Sequence, residues 1–395
     1  MEVVLERPGA IRLAALPPLA LYVHIPWCVR KCPYCDFNSH ERAGALPEDE
    51  YIEKLLADLE NLLPSVWGRR LTSVFIGGGT PSLFAPQSID RLLSGIRARL
   101  PLEPGAEITL EANPGTVEAG RFQGFREAGV NRISVGVQSF DDRMLQALGR
   151  IHGSAEARRA IDAALASFDN VNADLMYGLP AQTAAMARAD LEQAVACGVQ
   201  HISAYQLTIE PNTVFWSKPP QLPEHDLCAD MQIMIEEFLN ENEFQHYETS
   251  AFAKPGRRSR HNLNYWQFGD YLGIGAGAHG KVSFPDRITR HSRIKQPREY
   301  LLSTNSLAED RVLSANEVPF EFMLNALRLV EGFESKLFGE RTGLPLATVE
   351  KHLLEAETLG LLERDWQRIR PSARGRLFLN ALLELFLVDE SKDRG

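Results

Sequence analysis

The sequence predicts an α/β fold, namely a partial, six-stranded (β/α) barrel followed by a C-terminal α-helical, winged-helix-like domain. Short β-rich runs and helix-like segments alternate six times between about residues 21 and 242. This alternation is typical of a parallel sheet with helices outside it. A closed eight-stranded barrel would need two more units, and the alternation stops after residue 242. We therefore expect the barrel to be incomplete.

Each unit of the predicted barrel joins one apolar run to one helical segment. The first helix shows the amphipathic stripe most plainly, with Tyr51, Leu55, Leu59 and Leu62 at helical spacing. The predicted strands lie at 21–25, 73–76, 107–110, 132–137, 172–176 and 201–207. The predicted helices lie at about 48–63, 86–99, 116–128, 155–167, 184–196 and 225–242.

The pattern changes in the last third of the chain. Residues 250–310 are rich in Gly, Arg, His and aromatic residues and show no long helical period. A turn at 359–361 and a short β-wing at 364–370 accompany the helices of the last domain. These predicted helices lie at 317–331, 335–341, 346–360 and 373–388. The chain therefore divides into an N-terminal extension (1–20), the barrel (21–245), a motif-bearing linker region (246–310) and the helical domain (311–395).

The composition is that of a globular protein. Hydrophobic residues make up 44% of the 395 residues and charged residues 24%, which excludes a mainly disordered chain. The net charge of −10 argues against a general binder of nucleic acids or of anionic membranes. The five cysteines are too few for a disulfide scaffold, and their odd number favours a reducing compartment.

The N-terminus does not have the pattern of an export signal. Glu2 and Glu6 come first, and Pro17 and Pro18 interrupt the apolar run, whereas a secretory signal begins basic and continues apolar. No uncharged apolar run reaches the roughly 18 residues that span a bilayer. We therefore expect a cytoplasmic protein without a membrane segment.

Three cysteines directly after the first predicted strand are the strongest chemical signal. Cys28, Cys32 and Cys35 have the spacing C-x3-C-x2-C, and thiolates favour soft metals and iron–sulfur clusters. Three thiolates on a four-iron cluster leave one iron open, which the amino and carboxylate groups of a methionine could chelate. The alternative is a zinc site with His24 or His40 as fourth ligand, but zinc sites usually show C-x2-C pairs.

The other two cysteines carry no such signal. Cys197 and Cys228 stand alone on predicted helical segments. A free cysteine in such a place usually packs as a small hydrophobic residue. We therefore expect both to be buried, inert thiols.

Glycines and polar residues end the next predicted strands. Residues 77–80 read Gly-Gly-Gly-Thr and let the backbone approach a ligand closely, although a tight turn would explain them equally well. They match neither a Walker loop nor the dinucleotide fingerprint. Glu111, Gln138 and Asp174 end the third, fourth and fifth strands, where barrel sites form. Each alone could equally be a helix N-cap or a surface residue.

These motifs together resemble the radical S-adenosylmethionine (SAM) superfamily, whose fold is a partial barrel. The cysteine motif follows a first strand and has Tyr34 before its last cysteine. Within the superfamily, the runs at 22–28, 77–82, 136–140 and 174–180 resemble the oxygen-independent coproporphyrinogen III oxidase family. The resemblance extends from about residue 20 to 388.

The resemblance implies a 4Fe-4S cluster and SAM as cofactors. It assigns the cluster to Cys28, Cys32 and Cys35. Carboxylates suit the ribose hydroxyls of SAM, and an arginine suits its carboxylate. The matching SAM positions are Tyr22, Tyr34, Gly78, Gly79, Thr80, Glu111, Gln138, Arg150 and Asp174.

Two departures distinguish the chain from the oxidases. The oxidases carry a further cysteine two residues after the third, where this chain has Phe37. Residues 261–266 form the motif H-N-x-x-Y-W, which the oxidases lack and which resembles a paralogous haem-chaperone family. This resemblance implies His261 as an axial ligand of haem, with Tyr265 and Trp266 against the porphyrin.

Basic residues just upstream of this motif are candidates for pairing with the haem propionates. The alternative is a solvated basic loop beside a packed aromatic pair. The basic residues are Lys254, Arg257, Arg258 and Arg260.

The resemblance implies a haem chaperone that binds haem, transfers it to an acceptor protein and keeps a 4Fe-4S cluster with exchangeable SAM. The rival hypothesis is an oxygen-independent coproporphyrinogen III oxidase, a radical SAM enzyme that decarboxylates porphyrinogen propionates. A winged-helix regulator with an iron–sulfur sensor fits poorly with the acidic charge of residues 311–395, which hold 12 basic and 14 acidic residues. We expect haem and an acceptor as partners, no nucleic acid, and a monomer or homodimer.

Overall fold

The computed structural model describes residues 10–116 and 119–387. Three predicted segments lie partly outside these residues, namely the N-terminal extension, the third barrel helix and the end of the helical domain. The parts outside are residues 1–9, 117–118 and 388–395.

The described chain contains strands along its whole length. They are β1 (Leu19–Ile25), β2 (Trp27–Cys28), β3 (His40–Glu41), β4 (Leu71–Gly78), β5 (Leu102–Ala112), β6 (Arg132–Gln138), β7 (Val171–Tyr177), β8 (His201–Gln206), β9 (Gln245–Glu248), β10 (Ala251–Ala253), β11 (Asp270–Ile274), β12 (His279–Phe284), β13 (Arg287–Arg293), β14 (Leu307–Val312), β15 (Phe333–Glu334), β16 (Leu362–Arg364) and β17 (Arg368–Pro371).

Helices follow most of the central strands. They are α1 (Glu48–Leu62), α2 (Pro86–Arg99), α3 (Ala119–Ala128), α4 (Asp142–Ala147), α5 (Ser154–Ser167), α6 (Ala184–Ala196), α7 (Val214–Ser217), α8 (His225–Glu241), α9 (Arg260–Trp266), α10 (Pro297–Leu302), α11 (Glu317–Ala326), α12 (Ser335–Thr342), α13 (Glu350–Thr358), α14 (Ala373–Leu377) and α15 (Leu379–Glu384). Short 3-10 helices lie at Leu63–Val66, Pro81–Leu83, Pro114–Thr116 and Leu346–Val349.

The predicted partial barrel is confirmed. Strands β1, β4, β5, β6, β7 and β8 are neighbours in this order and pair in parallel. Apolar side chains between these strands and the outer helices form the largest core of the described chain. Helix α1 buries Tyr51, Leu55 and Leu59 in it, as its amphipathic stripe predicts.

Residues 246–310 extend the same sheet at both edges. Strands β11, β12, β13 and β14 continue it beyond β1, and β10 and β9 continue it beyond β8. The sequence predicts no strands here, because the strands are short and β12 buries polar residues. Lys281 of β12 is buried against Asp270 of β11 at 2.8 Å, so the apolar alternation of a strand is missing. Where the domain boundaries fall stays a prediction.

The C-terminal domain is helical with a small wing, as predicted. Helix α11 ends at Ala326, before the predicted limit of 331, and the last predicted helix breaks at Phe378 into α14 and α15. Strands β15, β17 and β16 form the wing sheet. Ile11 and Leu13 of the N-terminal segment pack into the core of this domain.

Helix α9, which carries the H-N-x-x-Y-W motif, is fixed to the barrel by one carboxylate. It packs against β1, β4 and β11. Glu107 of β5 accepts hydrogen bonds from the backbone N–H groups of Arg260 and His261 at 3.0 and 3.1 Å. It also accepts one from the imidazole Nδ1 of His261 at 3.0 Å. Both Glu107 and His261 are buried.

Within residues 10–116 and 119–387, none of the helices combines the length and the apolar character that crossing a bilayer requires.

Replacing Glu107 by Ala should destabilise the chain by about 2–4 kcal/mol, because buried donors of α9 would lose their acceptor. Urea unfolding measures the effect. Glu103→Ala is the matched control, because Glu103 is exposed on the same strand, and it should leave the midpoint unchanged. Equal effects of the two substitutions would contradict the role of Glu107.

The lowered pKa of Glu107 makes the stability of the fold depend on pH. Burial alone would raise the pKa of Glu107, but the hydrogen bond from His261 and the charge of Arg132 lower it from 4.5 to about 2. A carboxyl group whose pKa is lower in the folded than in the unfolded chain stabilises the fold at pH values above its unfolded pKa. This stabilisation is lost as the pH falls towards the folded pKa. The free energy of unfolding should therefore fall more steeply between pH 4.5 and 2 in the natural chain than in Glu107→Gln. Parallel pH profiles from urea unfolding would refute this.

Candidate functional site

The three motif cysteines face one cavity at the carboxyl end of the barrel strands. Cys28 ends β2, and the backbone N–H of Cys35 donates to the carbonyl of Cys32 at 3.1 Å in the turn that follows. All three line a cavity of about 380 Å³. The carboxyl end of parallel strands is where barrel sites form, so the motif lies where the sequence places it.

Polar neighbours hold each sulfur in place. The Arg150 guanidinium donates to Cys32 Sγ at 3.6 Å, and Cys35 Sγ lies 3.5 Å from the Ser39 hydroxyl. Burial raises the pKa of the Cys28 thiol to about 11, although a hydrogen bond with Thr80 opposes this. Burial likewise raises the pKa of Cys35. Buried thiols of this kind lose their protons when a metal binds.

The arrangement fits an iron–sulfur cluster better than a zinc ion. In the part of the chain that the structure describes, no group of three or more His, Cys, Asp or Glu side chains is placed to hold a single metal ion. Both ring nitrogens of His24 are engaged, with the Tyr22 hydroxyl at 2.7 Å and the Asn38 carbonyl at 2.9 Å. His40 is bonded to Asn38 at 3.2 Å. In a four-iron cluster each thiolate takes a different iron, so the sulfurs need only surround one cavity.

The glycine loop after β4 is attached to the cysteine segment. The N–H of Gly79 donates to the Ile25 carbonyl at 2.7 Å, and the N–H of Thr80 donates to the Trp27 carbonyl at 2.8 Å. A Cβ atom on Gly79 would lie 2.6 Å from the Trp27 carbonyl oxygen. Gly78 has a φ of +113°, which L-residues rarely adopt. Two glycines are therefore required by close approach and by backbone conformation.

Glu111 and Asp174 form an acidic pair in the same cavity. Glu111 accepts a hydrogen bond from the Gly78 N–H at 3.0 Å. Burial, and then the charge of Asp174, raise the pKa of Glu111 to about 8. Burial also raises the pKa of Asp174, although Ser134 donates to it at 2.8 Å. Glu111 therefore holds its proton at neutral pH and can donate to a hydroxyl as well as accept from one.

Gln138 and Arg150 also line the cysteine cavity. Gln138 has a φ of 69° and follows a register shift between β6 and β7. Such bulges redirect side chains next to active sites, and a positive φ at a residue other than glycine is strained. Arg150 donates to the Gly136 carbonyl at 2.8 Å, which holds the guanidinium between this strand and Cys32.

The structure brings most of the predicted SAM positions together. Tyr22 is the exception, because its hydroxyl is bonded to His24 and its ring lines a different cavity. The predicted positions that line the cysteine cavity are Tyr34, Gly78, Gly79, Thr80, Glu111, Gln138, Arg150 and Asp174.

Further residues of the cysteine cavity were not predicted. Tyr205 and Gln206 end β8, so the strand-end rule that found Glu111 would have found them too. Arg30 and Glu210 lie in loops and give no sequence signal.

A larger cavity of about 710 Å³ lies next to the cysteine cavity. Tyr265 and Trp266 of the H-N-x-x-Y-W motif line it. The two cavities share one wall within residues 35–39, because Cys35, Asp36, Phe37 and Ser39 line both. Phe37, which stands where the oxidases have a cysteine, is 61% exposed.

His261 lines neither of these cavities. Its ring stacks on Phe75 at 4.1 Å between centroids and is 5% exposed. Because the Glu107 carboxylate can only accept, the His261 Nδ1 carries the proton of that hydrogen bond. No hydrogen bond of the described chain engages the other ring nitrogen, and the role of His261 as a haem ligand stays a prediction.

The basic residues upstream of the motif also lie away from both cavities. Lys254 donates to the Asn242 carbonyl at 2.6 Å, and Arg258 pairs with Glu331 at 3.0 Å. Arg260 donates to the Gly105 carbonyl at 2.9 Å. The structure therefore does not bring these residues, or Arg257, to a porphyrin-sized space.

The remaining two cysteines lie outside the cysteine motif. Cys228 is buried on α8 as expected, whereas Cys197, which follows α6, is only half-buried. Burial raises the pKa of both thiols. Neither lines the two cavities.

Comparison with family models identifies both parts of the chain. Residues 22–194 match the radical SAM superfamily, and residues 313–378 match the HemN C-terminal domain. Both matches agree with the fold, since they cover the barrel strands β1 to β7 and the C-terminal helical domain with its wing.

Curated proteins match over nearly the whole chain. "Heme chaperone HemW" of Escherichia coli (strain K12) is 51% identical over 381 residues, which cover 95% of this chain and 100% of that protein. The protein of the same name from Haemophilus influenzae is 50% identical and covers 95% of this chain and 99% of its own length. "Radical S-adenosyl methionine domain-containing protein 1, mitochondrial" of Bos taurus is 36% identical over 92% of this chain and 86% of its own.

A solved structure shares the fold. Coproporphyrinogen III oxidase (HemN) from Escherichia coli superposes with a TM-score of 0.79, over 94% of this chain and 90% of that chain, at 23% identity. This likeness confirms the partial barrel with its C-terminal helical domain. Since the sequence identity to the HemW proteins extends along the full length, the chain belongs to the radical SAM superfamily and, within it, to the HemW family.

Proposed function

We propose that this chain is a haem chaperone, which binds haem and transfers it to an acceptor protein. In this proposal it carries a 4Fe-4S cluster with exchangeable SAM. Relatives named "Heme chaperone HemW" at 51%, 50% and 41% identity support it. The observation that carries it is the pair of adjoining cavities, one lined by the cysteines and one by the aromatic residues of the H-N-x-x-Y-W motif.

The cysteine cavity is the proposed cluster and SAM site. Cys28, Cys32 and Cys35 would each ligate one iron, and the bound cluster would supply an open iron and one-electron chemistry. The glycine loop, held against the cysteine segment, would bind the methionyl amine. Arg150, already beside Cys32 at 3.6 Å, would pair with the carboxylate of SAM.

The acidic pair would bind the ribose of SAM. Glu111 and Asp174 line the same wall, and the protonated Glu111 can donate a hydrogen bond to one hydroxyl while Asp174 accepts from another. Ser134 and Asn172 hold the Asp174 carboxylate at 2.8 Å each. The ribose site is therefore pre-organised before SAM enters.

Phe37 argues against the coproporphyrinogen oxidase alternative. It occupies the position at which the oxidases carry a further cysteine, and it offers no sulfur or other ligand atom. Its ring lies in the wall that the two cavities share. The likeness to the oxidase structure concerns the fold alone.

Cys28→Ala should abolish the cluster. After anaerobic reconstitution the variant should lack the brown absorbance and the bound iron and sulfide of the natural chain, because one of three ligands is missing. Cys197→Ala is the matched control and should keep the full iron content. Equal iron and sulfide in both variants would overturn the ligand assignment.

The chaperone and oxidase functions differ in what the chain does with porphyrins. The natural chain titrated with haemin should show a shifted Soret band and bind about one haem per chain. The same chain with reconstituted cluster, reductant, SAM and coproporphyrinogen III should yield no protoporphyrinogen. Absence of haemin binding, or steady formation of protoporphyrinogen, would refute the proposed function.

A further inference from the structure

We infer that the larger cavity is the haem site, with His279 as an iron ligand and Lys31 and Lys295 as the counter-ions of the two propionates. This inference rests on the proposed function and deepens it, because it assigns haem to a place in the fold. The resemblance to known proteins points instead to His261, which lies outside this cavity.

The cavity has the lining that a flat aromatic ligand needs. Its volume of about 710 Å³ lies within the roughly 300–1,000 Å³ of small-molecule sites. Aromatic side chains from five segments line it, so a porphyrin would find ring contacts on several sides. These residues are Tyr22, Phe37, Tyr265, Trp266, Phe268 and Tyr271.

Among the three histidines that line this cavity, His279 is the one with a free imidazole. His24 is hydrogen-bonded through both ring nitrogens. His40 is bonded to Asn38 and to the backbone of Lys295. His279, at the start of β12, is exposed, and the residues that the structure describes offer its ring no hydrogen bond.

Two basic residues of the lining lie close to His279. The charges of Lys295 and Arg290 both act on its imidazole, and both residues line the same cavity. An imidazole binds a metal through an unprotonated ring nitrogen.

Two of the four basic residues in the cavity are already paired. Lys281 lies 2.8 Å from the buried Asp270, and Arg290 forms an ion pair with Glu321. Both charges are thus compensated inside the protein. They are unsuited to bind a ligand anion.

The other two basic residues are available for an anionic ligand. Lys31 donates to the Phe37 carbonyl at 3.3 Å. Lys295 is exposed and has no ion pair within the described chain. Two lysines without ion pairs in the described part of the chain could each pair with one of the two propionates of haem. The same lining contains one acidic residue without a described ion pair, Asp36.

The motif helix shapes this site without supplying the ligand. Glu107 holds the N-terminal turn of α9 in the barrel, and the end of the helix then places Tyr265 and Trp266 at the cavity. A substitution of His261 removes a hydrogen bond to Glu107 and can displace α9. Loss of haem binding in such a variant therefore does not by itself identify His261 as the iron ligand.

Haemin titration of purified His279→Ala, followed by the Soret band, tests the ligand. The variant should bind haemin about tenfold more weakly, or worse. His225→Ala is the matched control, because His225 is exposed at the start of α8 and lines neither cavity. It should bind like the natural chain. Thermal unfolding of both variants should equal that of the natural chain.

Iron-free protoporphyrin IX separates ligation from cavity binding. Its affinity, measured by fluorescence, should stay within about twofold in His279→Ala, because no iron bond is lost. Lys295→Glu should weaken both haemin and protoporphyrin binding by about threefold to tenfold. Lys351→Glu on α13 is its exposed control and should change neither.

These experiments test haem binding by the chain and the role of His279 separately. If the natural chain binds haemin and His279→Ala binds it equally well, the inference is overturned while the proposed function stands. The inference is also overturned if His261→Ala folds stably and loses the Soret shift while His279→Ala keeps it, because the iron would then be bound by His261. If the natural chain binds no haemin, the proposed function itself fails.

Discussion

The arrangement on which the site depends is the contact between the cysteine segment and the glycine loop. Two backbone hydrogen bonds join Gly79 and Thr80 to the segment before Cys28. A Cβ atom at Gly79 would collide with the Trp27 carbonyl. Because the loop can only be this close with glycine, the surface that would receive SAM and the surface that would receive the cluster form one rigid unit. Substitutions in the loop should therefore disturb both ligands together.

The cysteine segment also connects the two cavities. Asn38 donates from its amide to the carbonyls of Ala276 and Lys295 at 2.8 Å each. These residues belong to the connections on either side of β12 and β13, and Lys295 lines the larger cavity. Residues 35–39 therefore join the wall of the cysteine cavity to the connections that flank β12 and β13.

The sequence predicts the barrel and most of the cysteine cavity, because both follow from local patterns. Strand periodicity locates Glu111 and Asp174 at strand ends, and parallel pairing then brings those ends together. The remaining features depend on contacts between distant residues. Glu107 and His261 are 154 positions apart, and Lys281 is hidden in a strand through its pairing with Asp270. No periodicity reveals either pair, so β11, β12 and the buried place of His261 could not be predicted.

Electron paramagnetic resonance of the reduced, reconstituted chain with and without SAM tests the central claim most directly. A cluster held by Cys28, Cys32 and Cys35 has one iron without a protein ligand. Added SAM should therefore change the g-values of the cluster signal, and Cys197→Ala should show the same change. A four-iron signal that ignores SAM, or zinc in place of iron in anaerobically prepared protein, would contradict the claim.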